Sequence, residues 1–147
     1  MEHERIMVGV DGSDGSWRAL RWALGEAARR QADVEIITCW HIPYLATSYG
    51  LGALTPEDLS ADARRQLDTA LTAFEREIEL VRSDGLRVEA RVIEGPAEST
   101  LERESKGADL LVVGRRGHNP ISRWLLGSVS RHVAAHATCP VVVVPEP

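Results

Sequence analysis

Two unbroken apolar runs, Ile6-Met7-Val8-Gly9-Val10 and Leu110-Leu111-Val112-Val113, constrain the fold of this chain more than any other feature. Each has the length of a strand and no polar face. Each must therefore be covered on both sides, as at the centre of a sheet held between helices. After the first run, Asp11-Gly12-Ser13 supplies turn residues, and Ser13 is suited to cap a helix. Trp17, Leu20, Leu24 and Ala27 follow at helical spacing. Residues 34–40 read as a second strand. Thr55-Pro56-Glu57-Asp58 marks a helix start, with Thr55 as cap, Pro56 at the first helical position and Asp58 as the return arm of a capping box. Leu59, Ala63, Leu67, Ala70, Phe74, Ile78 and Val81 form one continuous helical face, which Asp84-Gly85 ends.

Beyond that helix, Leu86, Val88, Ala90 and Val92 alternate with Arg87, Glu89 and Arg91, so the third strand has one wet face and belongs at a sheet edge. Pro96 opens a short helix that Gly107 closes, residues 109–113 form the fourth strand, a helix runs from near Gly127 to about Ala137, and Val141-Val142-Val143-Val144 is the last strand. Strands alternating with helices predict an α/β fold with a parallel sheet covered on both faces. Right-handed crossovers, two central apolar strands and a wet third strand together give an open, doubly wound, five-stranded, Rossmann-like sheet of order 3-2-1-4-5. The 147 residues suit a single domain, 1–147. Winding reverses between strands one and four, and ligands in such sheets bind beyond the carboxyl ends at that point. Those ends are Asp11 and Gly114.

The net charge of −5 predicts no global attraction to nucleic acid or to an anionic membrane. Met1-Glu2-His3-Glu4-Arg5 lacks the pattern of a signal peptide, and no apolar run approaches the roughly 20 residues of a membrane helix, so a cytoplasmic location is expected. Cys39 and Cys139 stand apart and read as buried free thiols. A single lysine among 17 Lys and Arg fits a GC-rich bacterial genome.

Gly114-x2-Gly117-x9-Gly127-Ser128 occupies the predicted crevice. Glycines let main-chain N–H groups approach an anion closely or turn with positive φ. Gly127-Ser128-Val129-Ser130 begins a helix whose first N–H groups lack partners within it and lie at the positive end of its dipole, an end that suits phosphate. Ser128 and Ser130 add hydroxyls for phosphate oxygens or a phosphate-bound Mg²⁺, and Arg115 and Arg116 add charge if turned inward. Taken alone, the same residues also read as ordinary turn glycines before a serine cap. A Walker A loop is excluded, because the only lysine, Lys106, precedes the strand.

Together with Val8-Gly9-Val10-Asp11-Gly12-Ser13 and Cys139-Pro140-Val141-Val142-Val143-Val144-Pro145, this spacing resembles the universal stress protein family over essentially the whole chain in a single copy. The long-spaced glycines resemble its ATP-binding branch. The resemblance implies the same strand order, an adenine nucleotide (ATP with Mg²⁺) as ligand, and a homodimer. It implies that Asp11, flanked by Val10 and Gly12, lies by the ribose, and that main chain near Cys39, Trp40 and His41 meets the adenine. Gly114, Gly117, Gly127, Ser128 and Ser130 would hold the phosphates, with Val113, Arg115, Arg116 and Val129 alongside. Metal contact would come only from Asp11 or Ser128, through ATP-bound Mg²⁺. One departure is His118-Asn119-Pro120, where the family often carries more glycine; it stiffens the loop.

Other residues admit plainer readings. His132 and His136 lie at i, i+4, but Val133 breaks the H-E-x-x-H pattern, and they read as solvent or core histidines. His118 either touches a terminal phosphate or is a loop side chain. Asp11 either bonds the ribose or its own turn, or it serves as base or Mg²⁺ ligand. Trp17 and Trp22 read as packing residues, and Trp40 either stacks adenine or packs at a strand end. Residues 41–54 form a long loop suited to a lid or contact surface. The uncharged valine strand 141–144 is a bare sheet edge, which predicts homodimerisation through it. Three functions compete: a nucleotide-dependent regulatory dimer engaging an unnamed protein partner, a slow ATPase or phosphotransferase, and an interaction module without nucleotide. Efficient phosphoryl transfer needs a positioned base, and none is evident. The intact glycine motif argues against the third.

Overall fold

A computed structural model describes residues 2–42, 55–116 and 126–146. The elements are β1 (Arg5–Gly9), α1 (Asp14–Arg30), β2 (Asp33–Trp40), α2 (Pro56–Ala73), α3 (Glu75–Ser83), β3 (Val88–Glu94), α4 (Ala97–Glu104), β4 (Leu110–Gly114), α5 (Ser128–His136) and β5 (Val141–Val144). The five strands form one parallel sheet in the order β3-β2-β1-β4-β5, as the patterning predicts. In register, Met7 lies beside Glu35 on one side and Leu111 on the other, and Leu111 beside Val141.

The continuous apolar runs end up where two-faced burial requires. Ile6, Val8, Leu110 and Val112 point to one face and pack with Leu20 and Leu24 of α1, Leu67 of α2 and Ile78 of α3. Met7, Leu111 and Val113 point to the other and pack with Leu101 of α4 and Val133 of α5. The helix starts are those the sequence signals: Ser13 Oγ accepts from Ser16 N at 3.2 Å, and Thr55 and Asp58 cap each other reciprocally at 3.1 Å. Gly85 and Gly107 follow helix ends with φ of +81° and +78°, the left-handed region that glycine enters without a Cβ clash.

Three expectations need correction. The single helix expected over 56–83 is broken at Phe74 (φ −109°, ψ 18°), although its apolar face runs on through both pieces. Phe74 is buried, edge-on to Trp17 with ring centroids 5.8 Å apart and with the Arg21 guanidinium over its ring. Both cysteines are free, but they are half-buried rather than buried. Cys39 sits near the carboxyl end of β2, where the sheet opens, and Cys139 lies in the turn before β5. Strands β1 and β4 are each displaced by one residue from the expected spans, yet Val10 N still donates to Ile37 O at 2.9 Å, so the sheet contact extends to the end of the apolar run.

At the amino ends of the strands a depression of about 860 Å³ is lined by charge, including Arg5, Asp33, Glu35, Arg87 and Arg91. These groups serve one another. Arg91 pairs with Glu35 and Glu104, and Arg5 pairs with Glu35 at 3.4 Å. Arg5 also donates to Glu104 O and Lys106 O at the end of α4, where a cation suits the helix dipole. Asp33, 7% exposed, accepts from Arg87 N at 2.8 Å, from its guanidinium at 2.8 and 3.0 Å, and pairs with His3 at 3.2 Å. Burial pushes the Asp33 carboxyl upward, but these donors outweigh it and hold it below the usual range. A depressed carboxyl contributes stability that is full above its unfolded value, near 4, and is lost as pH falls through the folded value. Asp33→Asn is therefore expected to lose about 1–2 kcal/mol at pH 7 in urea unfolding, and the gap from wild type should narrow by pH 3. A gap independent of pH would contradict this account.

Candidate functional site

The winding reverses between β1 and β4, and there the sheet opens into a cleft of about 380 Å³. One lip is the turn after β1. Gly12 (φ +82°) lets the chain reverse, and the Asp11 carboxylate accepts from both Ser13 N, at 2.9 Å, and Ser13 Oγ. Asp11 N donates to Ser16 Oγ at 3.2 Å, and Ser16 Oγ donates to Ser13 O at 2.9 Å. This closed ring of short polar side chains fixes Asp11 at the cleft while capping α1.

The floor is made by close backbone approach. A Cβ on Gly114 would lie 2.6 Å from the carbonyl carbon and oxygen of Gly15, and a Cβ on Gly15 would lie 2.5 Å from Arg116 O. The two glycines let the end of β4 and the first turn of α1 touch main chain to main chain. Gly114 sits in ordinary strand conformation, so the positive φ expected of it as one alternative is not found, and this packing is a reason for glycine there.

The other lip is the start of α5. Gly127 is its N-cap, in extended conformation (φ −67°, ψ 170°). No side chain caps this helix, and no acid lies in its first turn. Gly127 N donates to Arg115 O at 2.8 Å, which leaves the following N–H groups of the first turn facing the cleft with the positive end of the dipole. Ser128 is exposed there. Ser130 is not: it is 1% exposed, and its hydroxyl donates to Arg115 O at 2.7 Å, with Gly127 O at 3.2 Å. A hydroxyl has one proton, so Ser130 braces the loop rather than donating to a ligand in this arrangement. Arg115 has a buried Nε with no partner. Arg116 lines the cleft and is ion-paired with Glu146 beyond β5.

Of the residues singled out from sequence, Val10, Asp11, Cys39, Val113, Gly114, Arg115, Arg116, Gly127, Ser128, Val129 and Ser130 all line this cleft. Gly12, Trp40 and His41 do not. Gly12 serves the turn, Trp40 O accepts from Gly95 N at 2.7 Å to extend the β2–β3 ladder, and His41 is exposed. Residues 43–54 and 117–125, Gly117 and His118 among them, lie outside the described residues. The cleft also takes in Ile37, Ala97 and Leu101, an apolar wall the motif reading passed over. Ala97 and Leu101 stand at i, i+4, and helical periodicity applied to 97–104 would have shown them facing the sheet. Beside them, burial raises the Cys39 thiol to about 11, so it is not a ready thiolate.

The remaining histidines are tied to protein partners. His132 Nε2 pairs with Glu102 at 2.8 Å, His136 Nδ1 donates to His132 O at 2.9 Å, and the two rings stack at 4.4 Å. Among the described residues no group of three or more His, Cys, Asp or Glu is placed to hold a metal ion, and no helix is long and apolar enough to cross a membrane.

The family model of the universal stress proteins matches residues 2–145. The chain belongs to the universal stress protein family. It is similar to universal stress protein YxiE of Bacillus subtilis, 33% identical over 144 residues that span 95% of this chain and 97% of that one. Among solved structures, a universal stress protein in complex with cAMP is 27% identical, with 98% of each chain covered and a TM-score of 0.67. The universal stress protein from Archaeoglobus fulgidus in complex with dAMP is 25% identical, with 97% of this chain and 98% of that chain covered and a TM-score of 0.64. The five-stranded parallel sheet with helices on both faces is thus that of a universal stress protein.

Proposed function

We propose that this universal stress protein, a single domain, belongs to the ATP-binding branch and acts as a nucleotide-dependent regulatory homodimer in the stress response. The observation that carries the reading is the uncapped start of α5, which faces a cleft lined in part by the charged Arg115 and Arg116 and in part by the apolar Ile37, Ala97, Leu101 and Val113. An adenine nucleotide has that division: a flat apolar ring and an anionic tail. The relatives with cAMP and dAMP support the same class of ligand.

In this reading the phosphates lie on the N–H groups of residues 128–130, Ser128 donates its hydroxyl, and Arg115, with Arg116 where it leaves Glu146, balances charge. Asp11 lies by the ribose. Mg²⁺ fits as a passenger of the nucleotide, because it is commonly held by phosphate oxygens, water and one carboxylate, and Asp11 is the carboxylate on this cleft. The metal would supply charge neutralisation between phosphates. Among the described residues the cleft offers no placed base: Asp11 is engaged by Ser13, and Cys39 is protonated. Hydrolysis, if any, is therefore slow. Nucleotide binding would order the loops of the cleft and change which protein the dimer engages, and the dimer forms through residues 141–144.

Equilibrium dialysis of labelled Mg-ATP against stoichiometric protein should show one equivalent bound per chain. Product release should take longer than minutes. Faster release that vanishes in Asp11→Ala would favour the ATPase reading, and no binding would favour the interaction module. Light scattering at micromolar concentration should give twice the 16.1 kDa chain mass; a monomer would remove the dimer from the proposal.

A further inference from the structure

We infer that Glu146 sets how many phosphates the cleft favours, by holding Arg116; this rests on the nucleotide reading above. Arg116 lines the cleft, and its side chain is only 12% exposed. Its guanidinium is nevertheless ion-paired with the Glu146 carboxylate. The tail that carries Glu146 is held beside the loop by Arg115 N donating to Val144 O at 3.1 Å, and Pro145 restricts the backbone between them. The pair is therefore placed by the sheet and does not depend on two long side chains meeting by chance.

A nucleoside monophosphate needs only the first turn of α5 and the charge of Arg115. Each further phosphate adds negative charge within the cleft that Arg116 lines. That charge meets a cation already balanced by Glu146. The longer tail must accept a neutral pair in place of a cation or draw Arg116 away from Glu146. Both routes penalise di- and triphosphates and leave the monophosphate largely untouched. The second route also releases the Glu146 carboxylate at the sheet edge, so nucleotide charge is read out there, and by linkage a partner that captures Glu146 tightens polyphosphate binding.

Calorimetric titration of the full chain with AMP, ADP and Mg-ATP at one fixed ionic strength tests this. Glu146→Gln should tighten Mg-ATP by about two- to fivefold, the scale of a partly exposed ion pair, and leave AMP unchanged within error. In an Arg116→Gln background the same change should have no effect on any nucleotide. Glu89→Gln removes an equal charge at the far end of the sheet and should behave as wild type. An equal gain for AMP and ATP, a gain that survives Arg116→Gln, or a matching gain in Glu89→Gln would overturn the role of Glu146 while leaving nucleotide binding intact. A wild type that binds none of the three would overturn both.

Discussion

Mg-ATP at about one hundred times its dissociation constant is expected to raise the melting temperature of the wild-type protein by roughly 5–10 °C and to leave Gly127→Asp unmoved. A ligand bound only by the folded state at that excess adds about 2.7 kcal/mol, and a chain of this size converts each kcal/mol into a few degrees. Gly127 is the place to intervene because its extended backbone (φ −67°, ψ 170°) is open to any residue. Aspartate there is a better helix cap than glycine. The variant should therefore melt at or slightly above the wild-type temperature without ligand. On the proposed reading its carboxylate would occupy the N–H groups that take the phosphates and would repel the tail. Unchanged stability with lost ligand response separates binding from folding. A variant that still shifts with Mg-ATP would place the phosphates elsewhere. A wild type that does not shift, and carries no nucleotide already bound, would move the protein to the interaction-module reading.

The second large effect is on folding. Gly114→Ala places a methyl group 2.6 Å from the Gly15 carbonyl, and Gly15→Ala places one 2.5 Å from Arg116 O. Backbone cannot rotate aside as a side chain can, so β4 and α1 must separate where they touch. Overpacking of this kind costs roughly 1–3 kcal/mol, and contact with backbone on a central strand argues for the upper end. Each variant should lose close to 3 kcal/mol in urea unfolding. The double variant should lose less than the sum, because one separation relieves both clashes. By contrast, Gly25→Ala, in a helix with nothing within 4 Å of the added carbon, should be neutral or stabilising. Gly114→Ala with wild-type stability would show that the two elements are not packed as described.

The sheet was legible in sequence because burial leaves a period. Unbroken apolar runs marked β1 and β4 as central, and the alternation at Arg87, Glu89 and Arg91 marked β3 as an edge. Helix starts were legible because Ser13, Thr55 and Asp58 act within a turn of themselves. The break at Phe74 was not, because the apolar face continues through both helices. The Gly114–Gly15 contact was not, since nearly a hundred residues separate its halves and a glycine carries no sign of what it admits. The same holds for Arg116 and Glu146, and for Ile37, whose place in the cleft follows only from strand order. The motif located the cleft, but the duties of its parts, such as the inward proton of Ser130, depend on partners the motif does not name.

The contrast between the two helix starts at this cleft has a consequence for the protein's descent. The start of α1 is locked by Asp11, Ser13 and Ser16, and a change there weakens the fold whatever the ligand. The start of α5 is left open by a glycine, and one base change in a glycine codon can give aspartate, a better cap. On the proposed nucleotide reading, loss of the ligand is thus a downhill step that leaves the scaffold standing, and a lineage with no use for the nucleotide has little to hold it back. Gly127 is therefore the position at which such a loss would first be written, and this chain still carries the glycine.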